Sequence, residues 1–317
     1  MIFEIEMTGG EKKQVDTVIS YSWSADISAA CDGLRLYFLK NDVSDTAEAY
    51  RIRVFDGSDC VFFGYVDTEK TTYDAQGCVC FIYARSSACL LVDNEAAPVT
   101  LISPTSTQLF ETFAKEFGFK NGLGEIQGDT VYMIPKGTSC FGAIQDFAAD
   151  VSGAGIYVDS GNTLRLYDNC DEIEISQDIV ISASVITERG EPVSDLNYKI
   201  ESSEPYRHCL TSLFLKQENI SRKRYFNASS YPVGQRERVL RQKLYSLSGS
   251  YRRLELTVQG TVLRPLYSRF TPQSNQPKYF RGYILEQRVI EGSEKGEITK
   301  LVFRNDVDLQ EVMYVAE

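Results

Sequence analysis

Histidine is nearly absent: 317 residues contain one, His208, which removes most routes to imidazole chemistry near neutral pH. It stands beside Cys209, and neighbours in a strand point to opposite faces, so the two do not form a nucleophile and base pair. The sequence contains no Walker A loop, no G-x-G-x-x-G between strand and helix, no G-x-S-x-G and no H-E-x-x-H. Catalytic, cofactor-binding and metal-binding residues are therefore expected to be none, and the chain is read as a non-enzyme. Carboxylates are abundant, so a glycosidase-like pair separated by roughly 5 to 9.5 Å stays open. Most of them fall in polar connectors such as Asp42 to Glu48 and Asp168 to Glu174, where a solvated face is the simpler reading. No apolar run approaches the roughly 20 residues that a membrane helix needs, so no membrane insertion is expected. Met1 to Glu6 has neither a basic n-region nor a long apolar h-region, so the expected place of assembly is the cytoplasm.

Disulfides rarely persist in a reducing cytosol, so the eight cysteines, at 31, 60, 78, 80, 89, 140, 170 and 209, are expected as free thiols. Cys78 and Cys80 share one face of a strand but lack the paired C-x-x-C spacing of a zinc site, which leaves them as small buried hydrophobes. The net charge of −11 is unevenly spread: −18 over residues 1–198, +11 over 199–288 and −4 over 289–317. The basic stretch is read first as a surface that docks a partner or neighbouring subunit, second as a solvated face. Nucleic-acid binding ranks last, because an otherwise acidic chain repels phosphate. The candidate interface residues are Arg222, Lys223, Arg224, Arg238 and Arg241.

The length predicts more than one domain. Alternating apolar residues predict strands at Ile2 to Met7, Val15 to Trp23, Leu34 to Leu39 and Tyr50 to Phe55, then a hairpin of Cys60 to Lys70 with Gly77 to Arg85. Asp56-Gly57-Ser58-Asp59 reads as a four-residue hairpin loop. Trp23, the sole tryptophan, reads as a core anchor. Thr105 with Gln108 makes a capping box for a helix through Phe117, and Ser139 caps a second one with Phe141, Ile144, Phe147, Ala148 and Val151 inward. Val131 to Ile134 and a hairpin about Ser160-Gly161-Asn162 complete a small α+β unit. Strands are then predicted at Ile173 to Ile175, Ile179 to Ile186, Asp195 to Glu201 and Leu213 to Leu215. An amphipathic helix over 236–247, ending at Gly249, is followed by a strand to Gly260 and a final hairpin of Tyr279 to Ile290 with Gly296 to Arg304. The fold class is mainly β (α+β): a first small antiparallel β-barrel over 1–102, a small α+β domain over 103–170 and a second β-barrel over 171–317.

The words of the sequence carry a resemblance. Phe62-Phe63-Gly64-Tyr65-Val66-Asp67, Arg85-Ser86, Leu90-Leu91-Val92-Asp93-Asn94-Glu95-Ala96-Ala97-Pro98 and Phe117-Gly118-Phe119 follow one another in a fixed order. Ser22-Trp23-Ser24-Ala25-Asp26 with Ala29-Ala30 and Leu34 precedes them. This order resembles the baseplate hub proteins of contractile phage tails and tail-like bacteriocins, in particular the PBSX-like group of the late-control-D-like hub family. Past the basic helix, Arg253-Leu254-Glu255-Leu256-Thr257-Val258-Gln259-Gly260 is similar to a strand of that family's second barrel. The resemblance implies a structural hub, a homotrimer whose paired barrels match a hexameric tail tube above a trimeric tail spike. It implies other baseplate proteins as partners, assembly in the bacterial cytoplasm, and residence in the baseplate afterwards. Any lysozyme activity would belong to the spike or a separate enzyme. A carbohydrate-binding or glycan-cleaving β-domain protein, also acidic, tyrosine-rich and poor in motifs, is the rival expectation.

Overall fold

A computed structural model describes residues 1–40, 47–74, 77–128, 131–167, 171–229, 231, 236–248, 251–271, 283–305 and 312–316. The protein is mainly β, 51% strand against 17% helix, with antiparallel sheets. It divides into two compact units, the first Met1–Asp171, Thr257–Tyr267 and Gln287–Leu301, the second Glu172–Leu256, Ser268–Glu286 and Val302–Glu317. Residues 257–267 and 287–301 thus group with the first unit although they lie within the 171–317 segment of the sequence.

The first unit opens with β1 (Ile2–Met7), β2 (Lys12–Gln14), β3 (Val18–Asp26), β4 (Gly33–Leu39), β5 (Ala49–Asp56), β6 (Asp59–Asp74) and β7 (Gly77–Ser86). Their spatial order is β3-β4-β7-β6-β5-β1-β2, each pair antiparallel, and Gln287–Ser293 runs antiparallel on the free side of β3. Alternation sends Phe3, Trp23, Leu36, Ile52, Phe62 and Ile82 into one core, because side chains two apart in a strand share a face. The β5–β6 connection is tighter than the sequence reading: Asp56 pairs with Asp59, so the loop is Gly57-Ser58 alone, with Gly57 at φ 59°. Cys78 and Cys80 are buried on one face, and burial, then the charge of Glu69, pushes the Cys80 thiol up to about 11. Cys31, Cys60, Cys78, Cys80, Cys89, Cys140 and Cys209 carry free thiols; Cys170 lies outside the described residues.

The fixed order of words has a mechanical basis in this unit. Arg85 on β7 is held on one side by Asp67 of β6, Nε to Oδ2 2.5 Å, and on the other by Asp93, Nη2 to Oδ2 2.7 Å. The Arg85 hydrogen bonds hold the Asp93 carboxyl below its ordinary range. Asp93 follows α1 (Cys89–Val92), and the next residues join the strand sheet to the helical part: Asn94 O accepts from Cys140 N at 2.8 Å, and Glu95 Oε1 accepts from Gly137 N at 2.7 Å. Gly64 of β6 lies against the Arg85 carbonyl, where a Cβ would come within 2.3 Å of that oxygen and 2.8 Å of the Phe62 ring. Gly64→Ala is accordingly expected to cost about 2 kcal/mol through forced backbone displacement, read as a lower denaturant midpoint at unchanged slope.

The α+β part contains β8 (Val99–Ile102), α2 (Ser106–Phe113), β9 (Lys120–Gly122), β10 (Val131–Ile134), α3 (Cys140–Ser152), β11 (Ile156–Val158) and β12 (Thr163–Leu166). Both predicted caps form: Thr105 Oγ1 accepts from Gln108 N at 3.1 Å and Ser139 Oγ from Gly142 N at 3.0 Å. Helix α2 is shorter than its periodicity suggests and passes at Ala114 into a 3-10 turn, Lys115–Phe117, closed by Gly118 at φ 79°. Phe110, Phe113, Phe141, Ile144 and Phe147 join one core. Val151, expected inward, is 40% exposed, because the last turn of α3 runs beyond that core.

The second unit is built from β13 (Glu172–Ile173), β14 (Val180–Thr187), β15 (Asp195–Lys199), β16 (His208–Ser212), α4 (Leu213–Gln217), β17 (Lys223–Asn227), α5 (Arg236–Ser248), β18 (Arg252–Gln259), β19 (Arg269–Phe270), β20 (Tyr283–Ser293), β21 (Gly296–Asn305) and β22 (Val312–Ala316), of which β18, β20 and β21 extend into the first. A four-stranded sheet runs β17-β15-β16-β22, with β15 and β17 parallel and the other pairs antiparallel. Leu213 to Leu215, expected as strand, is helical: Ser212 caps α4 by accepting from Leu215 N at 3.5 Å. Helix α5 lays Leu240 and Leu244, each 1% exposed, on Leu196, Tyr198 and Leu210. Its predicted end, Gly249, lies outside the described residues, as do 279–282 of the predicted last hairpin. Buried Asp195 is satisfied by Lys216 Nζ at 2.6 Å, Ser194 Oγ at 2.9 Å and Thr211 Oγ1 at 3.0 Å, a full set for a carboxylate taken out of water.

Candidate functional site

The basic residues singled out in the sequence take different places. Lys223 and Arg224 are exposed on β17, which forms an edge of the four-stranded sheet. Arg222 just before them is half-buried and tied down: its amide donates to Ser194 Oγ at 3.0 Å, its Nη1 to the Pro192 carbonyl at 3.3 Å, and its own carbonyl accepts from Ser194 N and Asp195 N. It fixes the start of the strand more than it offers charge. Arg241 is half-buried on α5, the helix packed over β15 and β16, and the Arg238 side chain lies outside the described residues.

Three residues that the charge count did not single out complete this surface. Tyr225, next on β17, is 66% exposed and meets Tyr206 edge-on at 5.3 Å, while Lys199 Nζ lies 5.4 Å from the Tyr206 ring. The exposed tyrosine brings both an apolar ring and a hydroxyl to the surface beside the cations. Adjacency in KRYF was the available signal for Tyr225; Tyr206 arrives from a separate loop and had none.

A second surface is β14. It pairs with β18 on one side, and no strand among the described residues pairs with its other side. Its eight residues, VISASVIT, bear no charge, and Ile181 and Val185 are 59% and 39% exposed. Long uncharged edges invite pairing with another chain.

His208 does not meet Cys209: the imidazole stacks on Tyr198 at 5.1 Å, and Cys209 Sγ lies 3.6 Å from Thr211 Oγ1. Among the described residues, no group of three or more His, Cys, Asp or Glu is placed to hold a metal ion, and no helix is long and apolar enough to cross a membrane.

No family model matches the sequence, and no curated protein does. Solved structures do. A 43 kDa tail protein of prophage MuSo2 from Shewanella oneidensis superposes with a TM-score of 0.79 at 15% identity, over 97% of this chain and 100% of that one. The fold is that of phage tail proteins. A tail protein from Neisseria meningitidis gives a TM-score of 0.73 at 14% identity, over 98% of both chains. An E. coli component of the type VI secretion system, described as structurally similar to the T4 bacteriophage tail proteins gp27 and gp5, gives 0.55 at 9% identity, over 90% of this chain and 73% of that one. Both β14 and β17 have a side that no strand among the described residues pairs with.

Proposed function

We propose that the chain is the structural baseplate hub of a contractile tail, in a phage or a tail-like bacteriocin, and not an enzyme. In this reading it is a homotrimeric adaptor that joins a hexameric tail tube to a trimeric spike. The observation that carries the reading is the end-to-end fold likeness to tail proteins, which leaves almost no part of either chain unmatched. A three-fold spike and a six-fold tube need an adaptor in which each subunit presents two equivalent modules. We propose barrels within 1–102 and within the segment after 171 as those modules, with 103–170 inserted between. The uncharged edge of β14 supports burial against another subunit, and the cationic, tyrosine-bearing edge of β17 supports docking of an acidic partner among the tube, spike or other baseplate proteins. Assembly would take place in the bacterial cytoplasm before incorporation into the baseplate.

Light scattering tests the oligomer: a species of three times the 35.7 kDa chain mass is expected, and a monomer at every concentration would sink the adaptor role. The docking part is tested by Lys223→Glu with Arg224→Glu. Charge complementarity acts mainly on encounter, so slower association with purified spike or tube protein and a weaker dependence on salt are expected, with unchanged melting. Salt-sensitive retention of DNA by the wild type, lost in the double variant while assembly stays normal, would transfer this surface to nucleic acid.

A further inference from the structure

The first unit encloses a half-open cavity of about 620 Å³, whose wall includes Trp23, Asp32, Gln145, Tyr157, Tyr167 and Tyr267. That volume falls within the range of small-molecule sites, roughly 300 to 1,000 Å³. Three of these residues form a continuous ring cluster, Tyr157 stacked on Tyr167 at 4.5 Å and Tyr267 tilted against Tyr167 at 4.4 Å. Tyr267 takes φ 67°, a region tyrosine rarely occupies, so the third ring is held there by the surrounding structure.

The electrostatics select the kind of ligand. Arg288 Nη2 stands 3.8 Å from Asp32 Oδ2, and the guanidinium lies over the Trp23 ring at 4.6 Å. Asp159, also on the wall, is answered by Arg165 Nε at 2.6 Å and by the amides of Gly161 and Thr163, each 2.9 Å from Oδ1. Neither sign of charge is left over to hold an anion or a cation. Polar groups remain: Trp23 Nε1 donates at 2.9 Å to the same Asp32 oxygen that faces Arg288, while the Gln145 amide presents its nitrogen at the wall with its oxygen taken by Ile156 N at 2.7 Å. Burial and then the neighbouring Asp32 hold the Tyr167 hydroxyl in its protonated form far above neutral pH. Asp32 lies deep among protein atoms, yet its side chain is 32% exposed, and that open part faces the cavity. A peptide strand would find little to pair with, because the Ile156 amide is already occupied and the Tyr167 amide donates to the Gly155 carbonyl at 2.8 Å.

We propose that this cavity is a binding site for a neutral saccharide unit, held by the tyrosine cluster and by hydrogen bonds to Asp32 and Gln145. Flat apolar rings meet the C–H face of a pyranose while a few fixed polar groups read its hydroxyls. The site lies within the first unit and stands or falls independently of the tail reading.

Trp23, the sole tryptophan, makes the test specific, since its emission reports on the cavity wall. The full chain is titrated with triacetylchitotriose and with maltotriose while Trp23 fluorescence is followed. A saturable change with at least one of them, in the millimolar range, is expected. Tyr157→Ala should weaken it about tenfold, the loss of one aromatic contact. Ala29→Phe, at an exposed position of the cavity wall, should abolish it and leaves the core untouched should Tyr157→Ala fail to fold. No saturable change with either sugar, a change that survives Ala29→Phe, or saturation by citrate or trialanine in place of the sugars would overturn the proposal.

Discussion

Leu244→Asp is expected to lower the stability of the second unit by about 4 kcal/mol, the sum of a lost buried leucine and an ionisable group forced among apolar ones. Leu244 is 1% exposed between Leu240 and the sheet residues Leu196, Tyr198 and Leu210. Leu244→Ala removes the side chain without adding charge and should cost about 3 kcal/mol. Lys243, its exposed neighbour on α5, is the control: Lys243→Asp should stay within about 0.5 kcal/mol. Domains are stable by only about 5 to 15 kcal/mol, so the Leu244→Asp loss removes a large share of the unit's margin. Urea unfolding of the full chain, followed by circular dichroism, reads all three variants. Equal midpoints for Leu244→Asp and Lys243→Asp would mean that α5 does not hold this unit together.

Periodicity made much of this legible. Leu240 and Leu244 recur at helical spacing, and Phe62, Cys80 and Ile82 fall on the inward face of alternating strands, because burial of one face is local information repeated along the chain. Capping was equally local: Thr105 and Ser139 begin helices with the hydrogen bonds their positions predict. The same rule defeated the strand reading at Leu213 to Leu215, where three apolar residues fit either structure and Ser212 decides by capping a helix. What could not be read was long-range. Asp67, Arg85 and Asp93 stand in the sequence as separate words, and only the fold shows that both carboxylates grip one guanidinium. Cys78 and Cys80 were legible as a buried pair, but the pairing of Gln287–Ser293 with β3, which places Arg288 in the first unit, has no local signature. Charge counting ranks Arg222 with Lys223 and Arg224 for a related reason: it cannot see that hydrogen bonds tie Arg222 to Ser194 and Pro192 while the other two stay exposed.

Arg288→Met is expected to cost about 3 kcal/mol at neutral pH, near the lower bound for removing one partner of a buried pair because cavity water still reaches part of Asp32. Arg288 is 8% exposed, and besides facing Asp32 and Trp23 it donates from Nη1 to the Arg264 carbonyl at 2.8 Å. Burial raises the Asp32 carboxyl above its ordinary range, and Arg288 and the Trp23 indole only partly offset that. Removing the guanidinium therefore raises it further. A carboxyl whose folded pKa lies above its unfolded value contributes stability that is present below the unfolded pKa, about 3.9, and lost as pH rises through the folded one. The deficit of the variant relative to wild type should consequently be largest at neutral pH and shrink as pH falls toward that ordinary carboxylate value. Combining Arg288→Met with Asp32→Asn removes the orphaned charge, so the double variant should recover part of the loss at neutral pH, and its own stability should no longer carry the pH dependence that Asp32 contributes. Urea midpoints measured across this range, with Trp23 emission as the probe, separate the electrostatic account from its competitor. A deficit that does not vary with pH, together with simple additivity in the double variant, would assign the role of Arg288 to packing on the indole ring.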